Sequence, residues 1–294
     1  MKTYDLVIPA LKKDLNVFYQ NKLLYFKNLH FNKIIIITKD IEISNDNLFY
    51  LDENTLYPNL TYKNVYEKIL SLGGSPERTG WYFQQFLKMA YAFNCSNEYY
   101  LVWDVDTVPI KNIKMFKNNK PVFHMKNEYH KPYFITLDKL TNGEIVKKTK
   151  KSFISEHMLI NTKIMRELVS YFKNINNKYE FWENILDSIN LSDLSYSGFS
   201  EFESYGNYVL TYYPNMYIMK NYNSCRLACR LFGPSPTNDD IKWAKKSFSA
   251  ISLEKYDIIS KYSYLWKSKI FRFFFPCKFI YYLYLKVSNM KENK

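Results

Sequence analysis

The segment Tyr99 to Ile110, with the sequence YYLVWDVDTVPI, restricts the possible folds of this chain more than any other. It begins as an apolar, aromatic and β-branched run and is bounded by Pro109, which is typical of a buried strand in an α/β sheet. Asp104 and Asp106 follow, one residue apart, and in a regular strand this spacing points both side chains to the same face. The segment therefore predicts a central strand whose exit carries two carboxylates.

Two carboxylates at one strand end, with no cation between them in the sequence, favour a metal site. Carboxylate oxygens suit Mg²⁺ or Mn²⁺, and these ions in turn suit phosphate oxygens. The alternative is that one aspartate starts a turn before Pro109 while the other caps a neighbouring backbone group. The tripeptide by itself leaves both interpretations open.

The first forty residues predict a βαβ unit. Asp5 to Pro9 is a short apolar strand, Phe18 to Phe26 fits a helix, and Lys33 to Thr38 (KIIIIT) is a second buried strand. In such a unit the ligand binds at the carboxyl ends of the strands. Pro9, Ala10 and Thr38 are therefore candidate ligand contacts.

The segment WYFQQFLKMAYAF predicts a helix directly ahead of the Asp-x-Asp strand. It has one apolar face and a second stripe at i, i+4, i+7 that holds Trp81, Gln85 and Lys88. With the nearby Arg78, this stripe is a candidate lining for a phosphate-bearing ligand. A solvated helix face with a snorkelling lysine is the alternative. Farther along, Tyr133 to Thr136 is predicted as a short strand.

The segment SGFSEFESYGNYVL offers candidates for acid–base chemistry. Ser200 is a possible cap of a helix whose first turn holds Glu201 and Glu203. Either glutamate is a candidate base, and favourable interaction with the helix dipole is the alternative for both. His157, in a predicted strand, is the third candidate, against the alternative of a hydrogen-bonded structural histidine.

Composition and charge narrow the class of protein. Hydrophobic residues make up 47% and aromatic residues 19%, which excludes extensive disorder. The net charge of +13 favours an anionic partner, such as a phosphate-bearing ligand, an acidic membrane surface or nucleic acid. The four cysteines form no Cys-x-x-Cys pair, so we expect reduced cysteines and no zinc site. The first residues lack the apolar core of a signal peptide, so we expect a cytoplasmic protein.

The segment from Tyr264 to Lys294 is both basic and aromatic, and its longest apolar run is too short to span a bilayer. Cations interleaved with aromatic residues predict a helical segment that lies on an anionic membrane surface, which here would be the inner face of the cytoplasmic membrane. A last helix that covers the core is the alternative. A nucleic-acid partner is not expected, because nothing resembles a known nucleic-acid-binding module.

The segment EYYLVWDVDTVPI resembles the Asp-x-Asp strand of the GT-A glycosyltransferases, and VIPALKKD is similar to their opening strand. This resemblance implies a Rossmann-like mixed central sheet flanked by helices. It implies a metal held by Asp104 and Asp106 on the diphosphate of a nucleotide sugar, with the first strand end at the base and ribose. The segment SEFESYGNY resembles the helix that carries the catalytic base of inverting members. Many members take a further metal ligand from a C-terminal histidine, and no histidine follows His157 here.

The segment GWYFQQFLKMAYA resembles the equivalent helix of uncharacterised bacterial GT-A proteins found among surface-polysaccharide genes. The resemblance implies a catalytic domain over residues 1–263 and a membrane-surface segment over 264–294. The implied function is a Mn²⁺- or Mg²⁺-dependent glycosyltransferase of capsule or lipopolysaccharide biosynthesis, with a glycan or lipid-linked acceptor. A metal-dependent phosphoester hydrolase and a non-catalytic lipid- or polyanion-binding protein are the alternatives.

Overall fold

The computed structural model describes residues 2–41, 44, 47–254 and 259–292, with the backbone alone from 287 to 292. The strands are β1 (Tyr4–Pro9), β2 (Ile34–Thr38), β3 (Leu48–Asp52), β4 (Tyr99–Trp103), β5 (Thr107–Pro109), β6 (Phe116–Lys117), β7 (Lys120–Met125), β8 (His157–Asn161), β9 (Ile218–Asn221), β10 (Ser224–Cys225) and β11 (Ala250–Ser252).

The helices are α1 (Leu15–Asn28), α2 (Tyr62–Ser71), α3 (Thr79–Ala90), α4 (Lys131–Thr141), α5 (Thr162–Asn174), α6 (Phe181–Ser188), α7 (Leu191–Leu194), α8 (Glu201–Tyr212), α9 (Ala228–Phe232), α10 (Asn238–Lys245), α11 (Ser263–Lys267), α12 (Lys269–Phe274) and α13 (Cys277–Glu292).

The chain divides into two compact units. The first contains Met1–Lys13, Phe31–Asp104 and Met115–Asn221, and the second contains Asp14–His30, Val105–Lys114 and Tyr222–Lys294. This division differs from the boundary after residue 263 that the sequence predicted, because segments far apart along the chain pack into the same unit.

A five-stranded sheet forms the centre of the first unit, in the order β3-β2-β1-β4-β8. The first four strands are parallel, and β8 pairs antiparallel with β4, so that Trp103 lies opposite His157. Strands β1, β2, β4 and β8 are buried along their whole length, as expected for a sheet covered by helices on both faces. The predicted α/β class with a mixed central sheet is therefore confirmed.

Local sequence signals set several helix ends in this unit. Asn161 caps α5 by accepting a hydrogen bond from the Ile164 N–H at 3.1 Å. Helix α2 is followed by Gly73, whose φ of +81° is one that glycine adopts without a steric penalty. The predicted strand over Tyr133 to Thr136 is wrong, because these residues form the middle of α4, with Pro132 in its first turn.

The second unit has a small sheet in the order β10-β11-β5, on which α1 packs. The Tyr25 hydroxyl donates a 2.7 Å hydrogen bond to the Thr107 carbonyl, so α1 is fixed to β5. The C-terminal segment is helical, as predicted. It supplies Trp266, Cys277 and Ile280 to the core of this unit, so part of the segment covers the core. Within the described residues no helix is long and apolar enough to cross a membrane, and every cysteine is buried and reduced.

Candidate active site

The carboxyl ends of the parallel strands place several of the predicted residues at one edge of the sheet of the first unit. Pro9 and Thr38 are the last residues of β1 and β2, and Asp104 follows the last residue of β4. The Gln84 side chain donates to the Pro9 carbonyl at 3.0 Å, and the Ala10 N–H donates to Ile37 at 3.0 Å. This edge is where α/β proteins bind ligands.

A buried lysine joins two carboxylates at this edge. Lys88 Nζ lies 2.8 Å from Asp104 Oδ1 and 2.8 Å from Glu201 Oε1. The side chains of Lys88 and Glu201 are each 5% exposed, whereas that of Asp104 is 30% exposed. The cluster therefore carries one net negative charge, and Asp104 is its contact with solvent.

Helix α3 supplies Lys88 and α8 supplies Glu201, and the two helices are further joined by Gln85. The Gln85 Oε1 accepts a 3.2 Å hydrogen bond from the Glu201 N–H, at the start of α8. The interpretation of this α3 stripe as a solvated face is wrong, because Gln85 and Lys88 are each 4% exposed. Burial by itself lowers the pKa of Lys88, but the charges of Asp104 and Glu201 and the hydrogen bonds to both outweigh it and raise the pKa.

Glu203 lies in the first turn of α8, like Glu201, but has a different environment. Its Oε1 accepts hydrogen bonds from the Ser152 hydroxyl at 2.6 Å and from the Phe153 N–H at 3.2 Å. Burial raises the pKa of this carboxyl, and the Ser152 hydrogen bond opposes the effect. The predicted cap is present, since Ser200 accepts from the Glu203 N–H at 3.3 Å. Glu203 thus fixes the segment that precedes β8 to α8.

His157 is the first residue of β8 and is 1% exposed. Its ring stacks on Trp103 with the centroids 4.6 Å apart, and its Nε2 lies 2.9 Å from Nδ1 of His124. Burial lowers the pKa of His157 to about 3, so the ring is neutral near pH 7. This placement favours the alternative of a hydrogen-bonded structural histidine.

Arg78 and Trp81 lie together at the start of α3. The guanidinium carbon is 4.5 Å from the centre of the Trp81 ring, and Arg78 Nη2 donates to the Ser197 hydroxyl at 3.1 Å. Arg78 Nε is buried and has no hydrogen-bond partner in the described chain. An arginine with one unused buried donor is suited to a polar ligand such as a phosphate.

The two aspartates of the Asp-x-Asp motif do not follow the strand geometry that the sequence predicted. Strand β4 ends at Trp103, and Val105 and Asp106 form a turn, so the alternation of a regular strand does not apply to them. Asp106 belongs to the second unit, where its carbonyl accepts from the Leu253 N–H at 2.8 Å and its Oδ1 from the Thr107 hydroxyl at 3.3 Å. A turn begins between the carboxylates, as the alternative interpretation of the motif expected.

The described residues contain no group of three or more metal-binding side chains. Asp104 supplies one partly exposed carboxylate, whose Oδ1 already forms an ion pair with Lys88. One or two carboxylates suit Mg²⁺ when substrate phosphates and water complete its oxygen shell. The donor chemistry of the Asp104 carboxylate fits a hard cation that arrives with a diphosphate.

Sequence reasoning missed Glu156, which lies just before β8 and supports Asp104. The Glu156 carbonyl accepts the Asp104 N–H at 2.9 Å, and its carboxylate forms an ion pair with Lys126. Its φ of +62° is a left-handed conformation that costs a residue with a side chain on the order of 1 kcal/mol or more. No local sequence signal marks this conformation at a glutamate.

The fold is that of an α/β protein with a buried cluster of charged side chains at the carboxyl edge of its sheet. The chain belongs to a family of unknown function, DUF6492, whose model matches residues 12–261. No curated protein matches the sequence.

Two solved structures are similar to the chain in outline. Mouse xyloside xylosyltransferase 1 in its apo form has a TM-score of 0.45 and 13% identity, and the match covers 88% of this chain and 100% of that one. The apo structure of the bifunctional glycosyltransferase WbbM has a TM-score of 0.46 and 9% identity, and the match covers 88% of this chain and 46% of that one. Family membership is what these comparisons establish.

Proposed function

We propose that this chain is a glycosyltransferase that moves a sugar from a nucleotide-diphosphate sugar to a glycan or glycolipid acceptor. The observation that carries the proposal is the Asp104–Lys88–Glu201 cluster at the ligand-binding edge of the sheet. A partly exposed carboxylate beside a buried carboxylate and its lysine provides both a contact for a charged donor and a candidate base. The resemblance to GT-A enzymes supports the same function.

Glu201 is the proposed general base, and Glu203 is proposed to be structural. Both are buried, but Glu203 Oε1 already accepts two hydrogen bonds from the segment before β8. Glu201 instead shares Lys88 with Asp104, which places it next to the edge where a donor would bind. Its role is to accept the proton of the acceptor hydroxyl, with inversion at the anomeric carbon as the expected outcome. Lys88 positions the carboxylate for that step.

The donor contacts are proposed from the remaining residues of the edge. Pro9, Ala10 and Thr38 would contact the base and ribose, and Arg78 with Trp81 would contact the diphosphate. Asp104 would hold Mg²⁺ or Mn²⁺, which when bound offsets the charge of the departing nucleoside diphosphate. The same role for Asp106 is proposed from the resemblance to GT-A enzymes alone. The acceptor is proposed to belong to capsule or lipopolysaccharide biosynthesis, from the resemblance over α3.

Donor binding is tested by thermal stabilisation of the full chain with a panel of nucleotide sugars, with and without Mn²⁺. A preferred donor should raise the Tm only when the metal is present, and Asp104→Asn should remove that rise. Asp138→Asn, an exposed residue of α4, is the matched control and should retain it. If the nucleotide sugar still raises the Tm of Asp104→Asn, and still raises the Tm of the wild type in EDTA, the metal role of Asp104 is refuted.

The role of Glu201 is tested by comparing Glu201→Gln with Glu203→Gln. The first should lower transfer by about 10²-fold or more while donor binding persists, because general-base catalysis contributes about that much. The second should lower the Tm, since a neutral amide is a weaker acceptor for Ser152 and Phe153. Phosphate release without any acceptor would instead identify a hydrolase.

We also propose that the protein is cytoplasmic and attaches to an anionic membrane surface through α12 and α13. Three apolar side chains of α12 are highly exposed, namely Ile270 at 73%, Phe273 at 83% and Phe274 at 68%. Exposed aromatic residues beside lysines are typical of helices that lie in the headgroup region. Sedimentation of the full-length chain with anionic vesicles at low salt tests this proposal, and the absence of binding would refute it.

A further inference from the structure

An open cleft of about 570 Å³ lies in the second unit, lined by α10, by the end of α11 and by α12. Five cationic side chains line it: Lys242, Lys246, Lys267, Lys269 and Arg272. Lys242 lies in α10 and Lys246 directly follows that helix, and both are ahead of the C-terminal segment in the sequence. The cleft is therefore a tertiary feature that the basic character of that segment does not explain.

The acidic residues of the cleft neutralise only part of this charge. Asp240 forms an ion pair with Arg272, and Asp239 lies 3.4 Å from Lys242. No carboxylate of the described chain lies within ion-pair distance of the other three lysines. Two acids against five cations leave a local surplus of three positive charges, which favours an anionic ligand.

Arg272 is held rigidly at the base of this cleft. Its guanidinium lies over the Trp243 ring at 5.2 Å and donates to the Trp266 carbonyl and to Asp240. Trp243 is itself 3% exposed and donates to the Phe275 carbonyl at 3.0 Å. Asp240 also completes the capping box of α10 with Thr237. A fixed guanidinium in a cleft lined by exposed lysines is suited to a phosphate group, because its planar donors need no further ordering.

The rim of the cleft indicates a ligand that also has an apolar part. Phe273 lines the cleft and is 83% exposed, and Ile270 on the same helix is 73% exposed. A free phosphate would leave these side chains in water, whereas a lipid would cover them and gain about 25 cal/mol for each Å² of apolar surface buried. We infer that this cleft binds the phosphate headgroup of an anionic lipid, with the hydrocarbon part against α12. The inference does not depend on the proposed transfer reaction.

The test measures binding of the full-length chain to phosphatidylcholine vesicles that contain either phosphatidic acid or phosphatidylserine, at matched surface charge. The wild type should prefer phosphatidic acid, whose terminal phosphate is the less hindered. Lys246→Ser, Lys267→Ser and Lys269→Ser in combination should weaken this binding roughly hundredfold, from about fivefold for each lysine near an anionic surface. The triple variant should also lose the preference for phosphatidic acid over phosphatidylserine.

The matched control combines Lys27→Ser, Lys114→Ser and Lys261→Ser, which removes the same charge from exposed positions of the same unit outside the cleft and outside α12 and α13. If both triple variants weaken vesicle binding equally, binding depends on general charge attraction, and the proposal that the cleft is a specific site is overturned. Because all six lysines are exposed, an unchanged Tm should accompany both variants.

The proposed contact between the hydrocarbon part of the lipid and α12 is tested with Phe273→Ser. The control is Leu23→Ser, at an 84% exposed position of α1. Only the first should weaken vesicle binding. Equal competition by inorganic phosphate and by a short-chain phosphatidic acid would identify free phosphate as the ligand and overturn the lipid assignment. Tighter binding of an RNA oligonucleotide than of vesicles would overturn it as well.

Discussion

Replacing Lys88 with Met removes the one ammonium that separates two carboxylates at the edge of the sheet. The Glu201 carboxylate, 5% exposed, then stays buried without its cation, and breaking a buried pair in this way costs about 3–5 kcal/mol. Asp104 adds less, because its side chain is 30% exposed and water screens its charge. For a chain of this size the loss corresponds to a Tm decrease on the order of 10 °C.

The measurement is thermal unfolding of Lys88→Met beside Lys63→Met. Lys63 also pairs with a glutamate from a helix, but its side chain is 80% exposed and that of Glu67 is 60% exposed, so its loss should cost less than about 0.5 kcal/mol. Adding Glu201→Gln to Lys88→Met should recover much of the lost stability, because the uncompensated buried charge is then gone. If Lys88→Met lowers the Tm no more than Lys63→Met, the buried bridge does not exist in solution and the site must be reconsidered.

Three further predictions address the packing, the acid stability and the capping of the first unit. Gly206→Ala should destabilise the fold by about 1–3 kcal/mol, because the new Cβ would lie 2.4 Å from the buried Phe153 ring. Gly80→Ala in α3 places its Cβ in open space and should instead stabilise the fold by about 0.5–1 kcal/mol. Denaturant unfolding of both variants measures this difference. The pKa of the buried His157 is about 3 in the folded state against an ordinary value of 6.5, so only the unfolded state binds a proton between these two values. The free energy of unfolding should therefore fall by about 1.4 kcal/mol for each pH unit as the pH drops through this window. His157→Gln should reduce that slope. Removing the α5 cap with Asn161→Ala should cost about 1 kcal/mol, measured as a shift in urea midpoint at constant m.

The sequence by itself determined the elements whose signals are local. Largely apolar runs predicted β1, β2 and β4, because a strand buried on both faces needs no polar alternation. The cap at Ser200 was likewise predicted, since a capping side chain bonds to a backbone group only three residues away. The same patterns placed Asp104 at the ligand edge of the sheet.

The tertiary structure alone decided which charges meet. Lys88 and Glu201 are 113 residues apart, and no local pattern indicated that a lysine in a polar stripe of α3 would be buried against a carboxylate of α8. Tyr133 to Thr136 had the composition of a strand, yet the proline at the start of the helix and packing against the unit's core favour their place in α4. Composition records the propensity of each segment, but burial and ion pairing depend on which segments are neighbours in space, and that is fixed only when the whole chain folds.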